Sequence, residues 1–211
     1  MDGVAEPPVV ADHLEEVVPG VFHWSAANPR IGGTQSASHA VRTESGETVL
    51  IDPIRLVDEA LDRLAPMTAI VLTAATHQRA SWRYRKVFGA AVFLPKGSRA
   101  TEEKPDEQYG AGDVLPGPLE AVHTPGPEDP HYALLRRETP SVLFCPDLVQ
   151  VENDELALVP GEYQDDPDEA RRSIERLLEL PFEVLCLDHG SPLTNDPKTA
   201  LRTLLAEPTG P

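Results

Sequence analysis

The chain has 211 residues, enough for one domain with a sizeable core. Its 18 basic residues against 35 acidic ones give a net charge of −17, a field that repels phosphates and so excludes nucleic acid and anionic membrane as expected partners. Proline is abundant, at 22, and aromatic residues are sparse, at 5%, which implies stiffened loops around a core of Val, Leu, Ile and Ala.

Residues 1–13 are acidic, with neither the basic start nor the apolar stretch of a secretory leader. They read as a flexible leader ahead of one domain over residues 14–211. Residues 17–25 suggest two short strands about Pro19-Gly20. Residues 38–42 and 48–52 flank Glu44-Ser-Gly-Glu47 as a hairpin, and Asp52-Pro53 stops the second strand. Apolar residues at 56, 57, 60, 61 and 64 have helical spacing.

Residues 69–72 form a short, wholly apolar run, the type buried on both faces. A helix is expected over 78–88, closed by Gly89 as its C-cap, with another buried strand over 91–94. Within that helix Ser81-Trp-Arg-Tyr-Arg-Lys86 reads as an exposed face packed through Trp82 and Tyr84. Residues 110–113 read as a turn and 119–123 as a strand. Residues 132–137 and 141–144 form a hairpin about Glu138-Thr-Pro140. A strand follows over 156–158, then a helix over 167–180 whose start is marked by Asp165-Asp166-Pro167. The last strand spans 183–187 and the last helix 196–205. No apolar run approaches the roughly 20 residues of a membrane helix. Cys145 and Cys186 sit far apart, each inside an apolar run, and read as buried thiols suited to a reducing cytoplasm, the expected location.

Polar, metal-capable residues follow several buried strands: Val122-His-Thr-Pro-Gly126, Leu143-Phe-Cys-Pro-Asp147 and Leu185-Cys-Leu-Asp-His-Gly-Ser191. Loops that converge on a rigid strand base are where layered α/β proteins assemble sites. There is no G-x-S-x-G elbow, P-loop or G-x-G-x-x-G turn.

The order of these turns resembles the metallo-β-lactamase-fold superfamily, including the glyoxalase II-like hydrolases, over residues 14–205. The resemblance implies an α/β fold, a four-layer αββα sandwich of two mixed sheets flanked by helices. Under it, Asp52 is the structural aspartate of an early strand, His123 the third-ligand histidine, Asp147 the bridging aspartate and His189 the final histidine. The main metal loop departs from the family's Thr-His-x-His-x-Asp-His run, because here it reads Thr73-Ala-Ala-Thr-His-Gln-Arg79. Ala74 and Thr76 stand at the first two histidines, Gln78 at the aspartate and Arg79 at the last histidine. His77 falls at a variable position, and a one-residue shift of the loop would bring it in.

Three remaining ligands of this kind cannot hold two metal ions. The expectation is therefore a metal-free or metal-poor member with a binding or regulatory role towards a small molecule, in which Arg79 replaces metal charge and pairs with Asp147. Its pocket would draw on His77, Gln78, Arg79, Asp147 and, at the mouth, His131. The alternative is a mononuclear hydrolase of an ester, thioester or amide, with one Zn, Mn or Fe on His123, Asp147 and His189. His13, His23, His39 and His131 read as surface or structural, with His131 also placed to line the pocket mouth. Oligomeric state leaves no mark on the sequence.

Overall fold

A computed structural model describes residues 8–152 and 155–207. The chain runs β1 (Val10–Ala11), β2 (Glu15–Val18), β3 (Val21–Ala27), β4 (Gln35–Arg42), β5 (Thr48–Ile51), β6 (Arg55–Leu56), α1 (Asp58–Leu61), β7 (Met67–Val71), α2 (Ser81–Phe88), β8 (Ala91–Pro95) and β9 (Glu107–Tyr109). It continues with β10 (Val114–Leu115), β11 (Leu119–His123), β12 (Tyr132–Arg136), β13 (Val142–Cys145), β14 (Val149–Glu152), β15 (Glu155–Leu158), α3 (Pro167–Leu177), β16 (Val184–Leu187) and α4 (Pro197–Ala206).

Two mixed sheets result. The first has the order β2-β3-β4-β5-β7-β8-β9, antiparallel up to β5 and parallel beyond it. The second has the order β10-β11-β12-β13-β16, with β13 and β16 parallel. Period-2 alternation gives each sheet two apolar faces. The inner faces meet through Val49, Ile51 and Val71 of the first sheet and Leu134, Phe144 and Cys186 of the second. Outside the first sheet, Leu50 and Ile70 pack against α1 and α2 through Leu61, Trp82 and Tyr84. Outside the second, Leu143 and Leu185 pack against α3 and α4 through Ile174, Leu177 and Leu201. The four-layer αββα sandwich expected from the sequence is the fold observed.

Local signals explain the helix boundaries. Asp166 caps α3 by accepting from Glu169 N–H at 2.9 Å, with Pro167 in the first turn. Gly89 closes α2 with φ of 69°, a left-handed value that glycine adopts freely. The second helix starts at Ser81 rather than residue 78, because the segment Ala75–His77 forms a separate 3-10 turn. Of the leader expected over 1–13, residues 1–7 lie outside the described residues. Val10–Ala11 is a strand paired parallel with Arg55–Leu56, and Ala11 is buried, so that part is tied to the body by backbone bonds. Both cysteines are buried and free. Among the described residues no helix is long and apolar enough to cross a membrane.

Candidate functional site

The site is assembled from the loops at the C-terminal ends of five strands. Asp52 follows β5, residues 73–79 follow β7, residues 124–128 follow β11, Asp147 follows β13, and Asp188 and His189 follow β16. Backbone bonds tie these segments together: Ala37 N–H donates to Asp188 O at 2.7 Å, Tyr132 N–H to Thr73 O at 3.1 Å, and Val151 N–H to His189 O at 2.8 Å. Asp52, Arg79 and Asp147 account for three of the four non-glycine residues with positive φ among the described residues. Backbone held in that sparsely populated region is found where surrounding structure over-determines it, and such places cluster at functional sites.

His77 stands at the centre. Its Nδ1 lies 3.1 Å from Asp52 Oδ2, and its Nε2 lies 2.9 Å from Asp147 Oδ2 and 3.6 Å from Asp188 Oδ2. Asp52 is fixed in turn by Thr73, whose N–H donates to Oδ1 at 2.9 Å and whose hydroxyl donates to Oδ2. His189 Nδ1 lies 2.7 Å from Gln35 O, and its Nε2 lies 3.2 Å from Asp147 Oδ1. Arg79 is buried beneath them. Its Nη2 donates to Asp188 Oδ2 at 2.5 Å, and its Nη1 donates to Ala37 O at 2.6 Å and Asp52 O at 2.9 Å. A cavity of about 800 Å³ opens above, with Asp147 and His189 on its lining beside Ile31, Glu128, Val159 and Tyr163.

Burial opposes charge on His77, but Asp147, Asp188 and Asp52 around it hold the imidazole well above its ordinary range. Burial likewise opposes ionisation of Asp147, yet His77 and His189 hold its carboxyl well below the usual carboxylate range. A second histidine pair behaves in the opposite way. His23 and His39 face each other across β3 and β4 with ring centroids 5.3 Å apart, and the buried Nε2 of each has no partner. Burial drives both below the free value of 6.5, with each other's proximity adding to the effect on His39. A folded-state value below the unfolded one means that the unfolded chain binds protons first. The stability contributed by this pair is then fully present above 6.5 and is lost as pH falls from there towards their lowered folded-state values. The loss approaches about 1.4 kcal/mol per pH unit for each histidine. Thermal midpoints measured across this range should decline on acidification, with a shallower slope in His39→Gln.

No protein-family model matches the chain, and no curated protein matches its sequence. Solved structures do match its shape. The DIM-1 metallo-β-lactamase, in a crystal exposed to ceftazidime, aligns with a TM-score of 0.74 over 95% of this chain and 98% of its own, at 14% identity. A metallo-β-lactamase from Pontibacter korlensis aligns at 0.70 over 92% and 98%, with 17% identity. This chain has the metallo-β-lactamase fold. A metallo-β-lactamase family protein from Thermus thermophilus aligns at 0.68 over 90% and 80%, with 19% identity. Identities this low carry the fold and leave the activity open.

Within the metallo-β-lactamase fold, the expected site residues separate into two groups. His77, Arg79, Asp147 and His189 come together. His123 does not join them: its Nε2 lies 3.1 Å from Asp129 Oδ1 and its ring rests against Tyr132, 5.2 Å between centroids. It is the last residue of β11, still in register with Tyr132, and the chain reaches the cavity only later, at Pro127 and Glu128. Gln78 is turned into the scaffold, with Oε1 accepting from Trp82 Nε1 at 2.9 Å and from Glu102 N–H at 2.7 Å. His131 is wholly buried rather than at the mouth, with Nδ1 2.8 Å from Thr124 O. Arg79 pairs with Asp188, not Asp147, because His77 takes the place beside Asp147.

Sequence reasoning passed over Asp188 and Glu128 and read Thr76 only as a lost metal ligand, whereas its hydroxyl donates to Glu128. A signal for Asp188 existed: an arginine destined for burial needs a carboxylate, and Asp188 precedes His189 directly. Two sets of metal-capable groups lie within 4.8 Å of one another, Asp52 with His77 and Asp188, and Asp147 with Asp188 and His189. Two ions do not fit this chemistry, since Arg79 inserts its permanent charge against Asp188 and the backbone of Asp52. One divalent ion does fit beside Asp147 and His189, which combine carboxylate and imidazole donors.

Proposed function

We propose that the protein is a metal-poor variant of the metallo-β-lactamase fold that binds a small organic molecule in the cavity above Asp147 and His189. The observation that supports this most directly is Arg79, buried and hydrogen-bonded to Asp188, Ala37 O and Asp52 O where a second cation would otherwise be needed. The cavity has the size and the mixed lining of a small-molecule site, with Ile31, Val159, Pro160 and Tyr163 as apolar wall and a polar floor. A library of carboxylates, esters and thioesters screened by thermal shift should yield ligands whose affinity, measured by calorimetry, falls at least tenfold in Val159→Trp. Two tightly held metal ions per chain by elemental mass spectrometry, or ligands indifferent to that substitution, would sink the reading.

A second reading is hydrolysis of an ester, thioester or amide, favoured by the partial exposure of Asp147 and His189, 23% and 15% of their side chains, at the cavity floor. One Zn, Mn or Fe ion there would polarise a carbonyl and acidify a water. The chain itself would contribute His189 to orient the substrate and Glu128 as a carboxylate facing the cavity to accept a proton. Metal-supplemented protein should then turn over p-nitrophenyl esters or thioesters, at least tenfold more slowly as Glu128→Gln. Absence of turnover across both panels would remove this second reading and leave the first intact.

A further inference from the structure

Glu128 is a carboxylate that the scaffold buries without supplying a cation. We propose that the small molecule bound in the cavity carries a primary ammonium group, received by Glu128, with an apolar arm lying along Ile31, Val159 and Tyr163. The proposal rests on the reading above, that the cavity binds a small organic molecule, and narrows that molecule to an amine.

Three observations carry it. The first is the surroundings of Glu128. It lines the cavity yet is only 7% exposed, and its Oε1 accepts from the neutral hydroxyl of Thr76. Among the described residues no arginine, lysine or histidine forms an ion pair with it. Nothing donates to Oε2, and that oxygen is not sealed inside the protein. A buried carboxylate costs free energy until a cation meets it. A primary ammonium brings three N–H donors, enough for Oε2 and for the free lone pair of the Thr76 hydroxyl. The turn that presents Glu128 is braced on both sides: Thr124 N–H donates to His131 O at 2.9 Å, and Asp165 N–H to Pro127 O at 3.2 Å.

The second is charge. In and beneath the floor, Asp52, Asp147, Asp188 and Glu128 face the guanidinium of Arg79. The sum stays negative whether His77 and His189 are both protonated or one divalent ion takes the place of those two protons. Neither set of metal-capable groups contains Glu128, so an ion beside Asp147 leaves its charge unmatched. At the mouth the signs differ. Arg30 and Arg99 are exposed there, with Arg99 3.4 Å from Asp165. An amine is therefore drawn to the floor, and a carboxylate on the same molecule would face outwards. The third is shape. Ile31 and Tyr163 are 41% and 71% exposed and stand on the lining with Val159. Apolar side chains around a cavity with a charged floor suit a ligand with one charged end and an apolar body.

The test is calorimetry on the full chain at neutral pH with chelator present, using probes that share one arm: phenylpropylamine, its N-trimethyl analogue, phenylpropanol and phenylpropanoate. The amine should bind about tenfold to a hundredfold more tightly than the alcohol. The trimethyl analogue, which has no N–H, should bind less tightly than the amine, and the carboxylate most weakly. Glu128→Gln keeps an oxygen for Thr76 and should abolish the preference for amine over alcohol while leaving the alcohol's affinity as it was. Val159→Trp should weaken amine and alcohol alike. Alcohol or carboxylate binding as tightly as the amine, or an amine affinity indifferent to Glu128→Gln, would overturn the ammonium site, while Val159-dependent binding would still uphold the cavity. A trimethyl analogue equal to the amine would overturn the hydrogen-bonded primary ammonium. Binding by none of the probes would overturn the amine class, and the ester and thioester library read against Val159→Trp would then show whether the cavity reading falls with it.

Discussion

Arg79→Met is expected to lower the free energy of unfolding by about 3–5 kcal/mol, because removing one partner of a buried ion pair strands the other. Asp188 is 4% exposed and Arg79 8%, so neither has water to fall back on. Ala37 O and Asp52 O lose the guanidinium as a donor in the same step, although Asp52 O keeps the Ser38 hydroxyl at 2.7 Å. Urea unfolding of chelated protein at neutral pH would show the change as a lower midpoint at constant slope. Arg79→Lys should recover only part of the loss, since one compact ammonium cannot reproduce a planar fork that reaches three acceptors. The double variant Arg79→Met/Asp188→Asn should be markedly more stable than Arg79→Met alone. A loss under 1 kcal/mol in Arg79→Met, which is what exposed pairs give, would mean that water reaches this pair.

Gly126→Ala is expected to be at least as damaging, by about 4 kcal/mol or more, or to prevent folding altogether. Gly126 has φ of 133°, and a Cβ there would sit 2.3 Å from Ala170 N and 2.4 Å from its Cα. Those atoms belong to the first turns of α3 and cannot rotate away as a side-chain tip can. The turn is also sewn to that helix: Asp166 N–H donates to Gly126 O at 2.9 Å, and Ser173 Oγ donates to Pro125 O at 2.6 Å. Gly89→Ala is the matched comparison. It shares a positive φ, 69°, but meets nothing within 4 Å, so a penalty of about 1 kcal/mol is expected from the left-handed backbone alone. Soluble yield and urea midpoints of the two variants would separate a steric clash from a conformational cost.

The layers of the sandwich were legible because its central strands are buried on both faces and so read as unbroken apolar runs, as at Val142–Cys145 and Val184–Leu187. Edge strands gave no such signal. Glu107–Tyr109 and Val114–Leu115 are two or three residues long, largely exposed and paired on one side only, and nothing in their composition marks them. In the site, the turns bearing Asp147 and His189 were recognisable from their letters. The letter match at His123 misled, because a strand-end side chain points where the pleat sends it, and here that is towards Tyr132. The central place of His77 was hidden for a related reason. Which side chain of a loop enters a pocket depends on backbone angles such as the 3-10 turn over Ala75–His77 and the positive φ of Arg79, and no periodicity encodes them.

Cys145 and Cys186 lie on neighbouring strands, β13 and β16, each two residues ahead of a site aspartate, Asp147 and Asp188. Both are buried, and burial pushes their thiols far up from the ordinary range, so an alkylating reagent meets no thiolate in the closed protein. Each labelling event therefore counts an opening of the strands on which the site stands. The chain carries its own pair of clocks: a ligand or ion that braces the floor should slow alkylation in proportion to how tightly it holds, with no probe attached.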